Sequence, residues 1–140
     1  MRTVRDETGK RYVLLKRSSD ASRVRDPETG SERYVENDRL EPVDGTSPLE
    51  TIAEGVPEPV RRITTAVHDD RSLGLLIDLV DRGPLAVRTL LDADDFCESD
   101  LHGLLAEFRA AGLVTEATVA GERGYDATDL ARDGVEALRP

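Results

Sequence analysis

The sequence predicts an α+β chain, a small four-stranded antiparallel β module followed by a mostly helical domain that closes through a β-hairpin. Three observations predict it. Residues 84–128 read as helix, turn, helix and two-stranded hairpin in direct succession. Residues 4–13 are echoed by residues 24–35, each copy running from Val-Arg-Asp through a Thr-Gly turn to Tyr-Val. Charge breaks between these regions: residues 1–45 carry 10 basic and 10 acidic side chains, residues 46–140 carry 9 and 19.

The elements follow in order. In each copy of the repeat an Asp (Asp6, Asp26) starts a turn and a Gly (Gly9, Gly30) supplies a positive φ near its end. The flanking residues are β-prone: Val4, Tyr12, Val13 and Leu14 in one copy, Val24, Tyr34 and Val35 in the other. Two β-hairpins in a four-stranded sheet over residues 1–43 account for both copies. Residues 44–57 read as a linker with a short helix, entered by Ser47 as N-cap and Pro48 at the first helical position, and closed by Gly55. Residues 58–140 form the second domain. Pro59 opens a helix with Val60, Ile63 and Val67 on one face. A further helix spans 72–81, with Leu73, Leu76, Ile77 and Val80 toward the core and Leu75 and Leu79 widening the stripe. Pro84 starts a helix over 84–93, and a second runs over 98–111 with Leu101, Leu104, Leu105 and Phe108 as its apolar stripe. Gly112 stops it, strands follow at 114–119 and 123–127 around Ala120-Gly121-Glu122, and a last helix starts at Thr128.

The run Ala110-Ala111-Gly112-Leu113-Val114 resembles the helix-to-wing junction of ArsR- and MarR-like regulators, and Tyr125-Asp126-Ala127-Thr128-Asp129-Leu130-Ala131 is similar to their exit from the wing into a closing helix. The resemblance covers about residues 60–140 and implies a winged helix-turn-helix domain, with the β module of the first 43 residues outside it. It implies double-stranded DNA as partner, with the helix over 98–111 in a groove. Closing helices of such regulators often pair across a two-fold axis, so a homodimer through Leu130, Val135 and Leu138 is one expectation, and packing of this helix back on its own domain is the other.

Composition bounds the setting. Net charge is −10, and 17 of the 19 basic residues are Arg. Acidity together with Lys depletion resembles haloarchaeal cytoplasmic proteins, where surface carboxylates keep a protein soluble in molar salt. At roughly 1 M salt the Debye length is about 3 Å, so a negative net charge excludes nucleic acid less strictly than it would in dilute buffer. One cysteine, Cys97, allows no intrachain disulfide and no Cys-pair zinc site. The apolar run over 73–80 is broken by Gly74 and Asp78, and the first residues lack an apolar signal region. The expectation is a cytoplasmic protein that does not enter a membrane.

Candidate site residues come from what the core stripe leaves over. On the 98–111 helix, Ser99, His102 and Arg109 are types that read DNA, whereas Glu98 and Asp100 suit the positive end of the helix dipole. On the hairpin, Arg123 is the one cation. A secondary basic segment, Arg2, Arg5, Lys10, Arg11, Lys16, Arg17, Arg23 and Arg25, stands against three acids in the first 25 residues. A nucleic-acid face is one reading of it; charged residues on the solvent side and edges of a short sheet are the simpler one.

Neither His68 nor His102 is joined by motif to a nucleophile, and the adjacent residues of His68-Asp69-Asp70 splay around a helix axis. Gly121-Glu122-Arg123-Gly124 lacks the strand-glycines-helix context of a phosphate loop. No catalytic residue, metal or cofactor is assigned, and an enzyme is not expected. Two functional readings remain: a DNA-binding transcriptional regulator, and a winged-helix module whose acidic helix face meets a partner protein without sequence-specific DNA binding.

Overall fold

The computed structural model describes residues 1–93 and 96–140. It is an α+β molecule with two antiparallel sheets and six α-helices among the described residues. It divides into two compact units, Met1–Pro57 and Glu58–Pro140.

The first unit is a five-stranded sheet. Strands β1 (Arg2–Arg5), β2 (Arg11–Arg17), β3 (Ala21–Arg25) and β4 (Glu32–Glu36) form an antiparallel meander, and β5 (Glu41–Pro42) pairs with the outer side of β1, giving the order β4-β3-β2-β1-β5. The expected four strands are present; the fifth is a two-residue edge strand containing Pro, too short to alternate and therefore silent in the sequence. Both repeat turns start as expected. The Asp6 carboxylate accepts from the Thr8 hydroxyl at 2.5 Å, the Thr8 N–H at 2.9 Å and the Lys10 N–H at 3.1 Å. Asp26 accepts from the Glu28 N–H at 2.9 Å. Gly9 and Gly30 take φ of 86° and 74°. The two turns are joined by Lys10 Nζ, 2.7 Å from the Asp26 carboxylate. That ammonium holds the Asp26 carboxyl below its usual range, and the Thr8 hydroxyl does the same for Asp6.

One face of this sheet buries Val4, Tyr12, Val24 and Val35, with Leu14 and Leu40 against them. Arg33 donates to the Tyr12 hydroxyl and lies over its ring at 5.1 Å, so a cation covers the largest buried side chain of the unit. The segment read as a linker belongs to this unit. Helix α1 (Pro48–Ala53), capped by Ser47, packs on β1 and β2, and its buried Thr51 shares a 2.6 Å hydrogen bond with buried Thr3.

The second unit contains α2 (Glu58–Ala66), α3 (Asp70–Arg82), the two-residue β6 (Leu85–Ala86), α4 (Val87–Asp92), α5 (Glu98–Ala110), β7 (Val114–Val119), β8 (Glu122–Ala127) and α6 (Asp129–Leu138). Its sheet has the order β6-β8-β7. The helix expected over 84–93 is shorter than read. Leu85 and Ala86 instead pair with Tyr125 and Gly124, because that edge of β8 is open and a two-residue segment beside it satisfies its backbone groups. Their close approach needs the missing side chain at Gly124, where a Cβ would lie 2.4 Å from the Leu85 carbonyl.

The core is one cluster that includes Ile63, Leu76, Leu79, Leu90, Leu101, Leu105, Phe108, Leu113, Tyr125 and Val135. On α3 Ser72, Leu75, Leu76 and Leu79 are buried, while Leu73, Ile77 and Val80 are half-buried and pack against the same core, so the stripe is centred on the residues expected to widen it. Asp69, in the triplet considered for metal binding, is the N-cap of α3 and exchanges a capping box with Ser72. Helix α6 packs on α2 and α3, burying Ala131, Gly134 and Val135. Of the residues on which the dimer expectation rests, Val135 is spent in this core, Leu130 is half-buried and Leu138 is exposed.

Candidate nucleic-acid interface

Helix α5 is anchored by Leu101, Leu105 and Phe108, all fully buried. The opposite face is therefore turned to solvent, and it carries small residues, Gly103, Ala106 and Ala110, between polar ends. The hairpin β7–β8 follows through a two-residue turn, Ala120-Gly121, with φ of 51° and 79°. Two positive φ values match the right-handed twist of the strands, which sets the register Thr118↔Arg123 and Glu116↔Tyr125. These four side chains consequently share one face of the hairpin.

On that face the helix and the hairpin meet. Arg109 Nη1 lies 3.1 Å from Glu116 Oε1, and Arg123 Nη2 lies 3.3 Å from the same oxygen. Arg123 also donates to the Tyr125 hydroxyl at 3.1 Å. That hydroxyl, and then the Glu116 charge, raise the Arg123 guanidinium above its ordinary value. Between the two elements runs an open groove of about 580 Å³, lined by His102, Leu105, Ala106, Arg109, Ala110, Arg123 and Tyr125.

Three of the four predicted residues, His102, Arg109 and Arg123, thus line one groove. Ser99 does not line it; it stands exposed in the first turn of α5, with its hydroxyl 3.5 Å from Cys97 Sγ. His102 Nε2 is 3.8 Å from Glu98. Glu107 is drawn away to His68 Nε2, at 2.8 Å. Sequence reasoning missed Glu116, the carboxylate that both guanidiniums share, and Arg88, which binds Glu122 at 2.8 Å near the hairpin turn. Period-two alternation from the Ala120-Gly121 turn was the signal that could have found Glu116, since it puts residue 116 on the face of 123 and 125.

The secondary basic segment does not form one surface. Arg5, Lys10, Arg11 and Arg25 each pair with an acid of their own unit: Glu41 at 2.8 Å, Asp26 at 2.7 Å, Glu54 at 3.2 Å and Glu32 at 3.4 Å. Among the described residues, Arg2, Lys16, Arg17 and Arg23 have no acidic partner within ion-pair distance. Register divides these four. Arg2 opposes Leu14, whereas Lys16 opposes Arg23 and Arg23 opposes Tyr34. Among the described residues no group of three or more His, Cys, Asp or Glu could hold a metal ion, and no helix is long and apolar enough to cross a membrane.

The chain belongs to a family of unknown function, DUF7346, whose model matches residues 1–139. No curated protein and no solved structure matches it.

Proposed function

We propose that residues 58–140 of this DUF7346 member form a winged helix-turn-helix domain that binds double-stranded DNA, with α5 as the reading helix and β7–β8 as the wing. One observation carries the reading. A cation from the helix, Arg109, and a cation from the hairpin, Arg123, converge at Glu116 beside a groove lined by His102. The element order supports it: two helices, α4 and α5, lead directly into a hairpin, and a short strand, β6, completes the sheet. Small side chains on the outer face of α5 leave its backbone free to approach a groove closely. In this reading phosphate takes the place of the Glu116 carboxylate, so Arg109 and Arg123 exchange one anionic partner for another. Glu98 and Asp100 serve the N-terminal end of the α5 dipole.

Selection of genomic fragments by the full chain in roughly 1 M KCl, followed by titration of the enriched sequence, tests the reading. Arg123→Ala should weaken binding to all sequences about equally, as loss of a phosphate contact does. His102→Ala should relax preference at one base pair, by about 1–3 kcal/mol. Glu116→Gln should tighten binding, because it removes the carboxylate that competes with phosphate. Absence of any enriched fragment, together with recovery of a stoichiometric protein partner, would overturn it. The exposed acids Glu98 and Asp100 would then be the contact surface of an interaction module.

A further inference from the structure

We infer that the first unit carries a binding surface of its own, for single-stranded nucleic acid, on the row Lys16–Arg23–Tyr34. The three residues stand directly opposite one another on β2, β3 and β4, so their side chains share one face of the sheet. Consecutive strands are about 4.8 Å apart, so the row places two cations and a ring along a line of about 10 Å. A bulge between Leu14 and Lys16 brings Lys16 into register with Arg23.

Two features of the row have no structural use within the unit. Like charges directly opposite on a sheet cost stability, and among the described residues neither cation has an acid within ion-pair distance, although the chain has a net charge of −10. Tyr34 is 67 % exposed on an edge strand, where an unprotected ring is a liability, and among the described residues no cation lies over it. The carboxylates one step to either side of it on β4 are Glu32, engaged by Arg25, and Glu36. A ligand chain is therefore steered across the strands, from Lys16 to Tyr34, and away from a path along β4.

A single strand of nucleic acid supplies what each member lacks. Its phosphates match Lys16 and Arg23, and an unpaired base matches the open ring face. An acidic peptide would satisfy the cations and leave the ring unused. Duplex DNA keeps its base faces inside its own stack. Stacking is also insensitive to screening, so the surface keeps an attraction in salt that removes most of the counterion-release term.

The test uses the full chain and a fluorescein-labelled oligothymidylate longer than the roughly 4–16 nucleotides such a sheet occupies. Tyr34→Ala should weaken binding about five- to hundredfold. Lys16→Gln and Arg23→Gln should each lower the slope of log affinity against log salt by about 0.7. All three side chains are exposed, and unchanged far-ultraviolet circular dichroism confirms that the variants fold. A second readout is intrinsic. The chain has no Trp, and Tyr12 and Tyr125 are buried, so stacking should quench Tyr34 emission. Tyr34→Phe should keep the affinity and lose the quenching. The inference is overturned if the oligonucleotide does not bind, if a polyglutamate peptide binds in its place, or if binding survives these changes and is lost with Arg109→Ala and Arg123→Ala. The last result would assign single strands to the α5 groove, so failure here and failure of the duplex reading are separable.

Discussion

At the scale of single residues, burial decides which side chains carry the second unit. Leu105 has no exposed surface and sits mid-helix among Leu101, Phe108, Leu76 and Leu79 in one cluster. Leu105 and its outer neighbour Ala106 both line the groove, so core and contact surface adjoin at this point of the helix. Leu105→Ala should destabilise the unit by about 2–5 kcal/mol, lost transfer free energy plus a residual cavity. A urea midpoint unchanged within error, with an unchanged slope, would contradict the placement of α5. Residue identity was largely legible here. Leu101, Leu105 and Phe108 repeat at helical spacing, and that spacing fixes a face whatever surrounds it. On α3 all six expected apolar residues pack in or against the core, but Leu75 and Leu79 are buried more deeply than Leu73, Ile77 and Val80, because Leu or Ile fills positions 73, 75, 76, 77 and 79 and so many apolar residues define no single stripe.

At the scale of elements, the informative case is β6. Leu85 and Ala86 pair with β8 only because residue 124 has no side chain. Gly124→Ala should push β6 off the sheet and cost about 1–3 kcal/mol, the usual range for overpacking. The matched control is Gly74 on α3, where an added Cβ meets nothing within 4 Å. Gly74→Ala should stabilise by about 0.5–1 kcal/mol through helix propensity alone. Thermal melts of the two variants should therefore move in opposite directions; a shared direction would mean that Gly124 is not in close contact with β6. The hairpin β7–β8 was legible from its turn, read at Ala120-Gly121-Glu122, and the positive φ falls at Ala120 and Gly121. Elements of two residues, β5 and β6, were not, because pairing at that length is decided by the neighbouring edge and leaves no periodicity to read.

At the scale of the whole molecule, the chain resolves into two units with separate cores and different charge. Residues 58–140 hold 9 basic and 17 acidic side chains, and the cluster that holds them together includes no residue before Ile63. A fragment beginning at Glu58 should keep its helical circular-dichroism signal and a cooperative melt in concentrated KCl, a length of 83 residues being enough for one small core. Loss of both would show that the second unit needs the first. The expected β module ended at residue 43, with residues 44–57 as a linker before a second domain from 58, whereas the first compact unit runs to Pro57. Helix α1 lies beyond the repeat that marked the sheet, and the hydrogen bond that ties it to the sheet, Thr3 to Thr51, spans 48 residues.

What the sequence by itself determined is local: the turns at Asp6 and Asp26, the helix stops, the apolar face of α5, the hairpin at 114–127 and the division of charge along the chain. Each follows from backbone preference or from a periodicity within a few residues. Tertiary structure decided which cations remain free of acids, that Arg109 and Arg123 meet at one carboxylate, and that Lys16, Arg23 and Tyr34 stand in a row. Those facts depend on strand register and on contacts between residues far apart in the chain. A one-residue slip of register would turn each side chain of a strand to the opposite face, so composition alone could not choose among them.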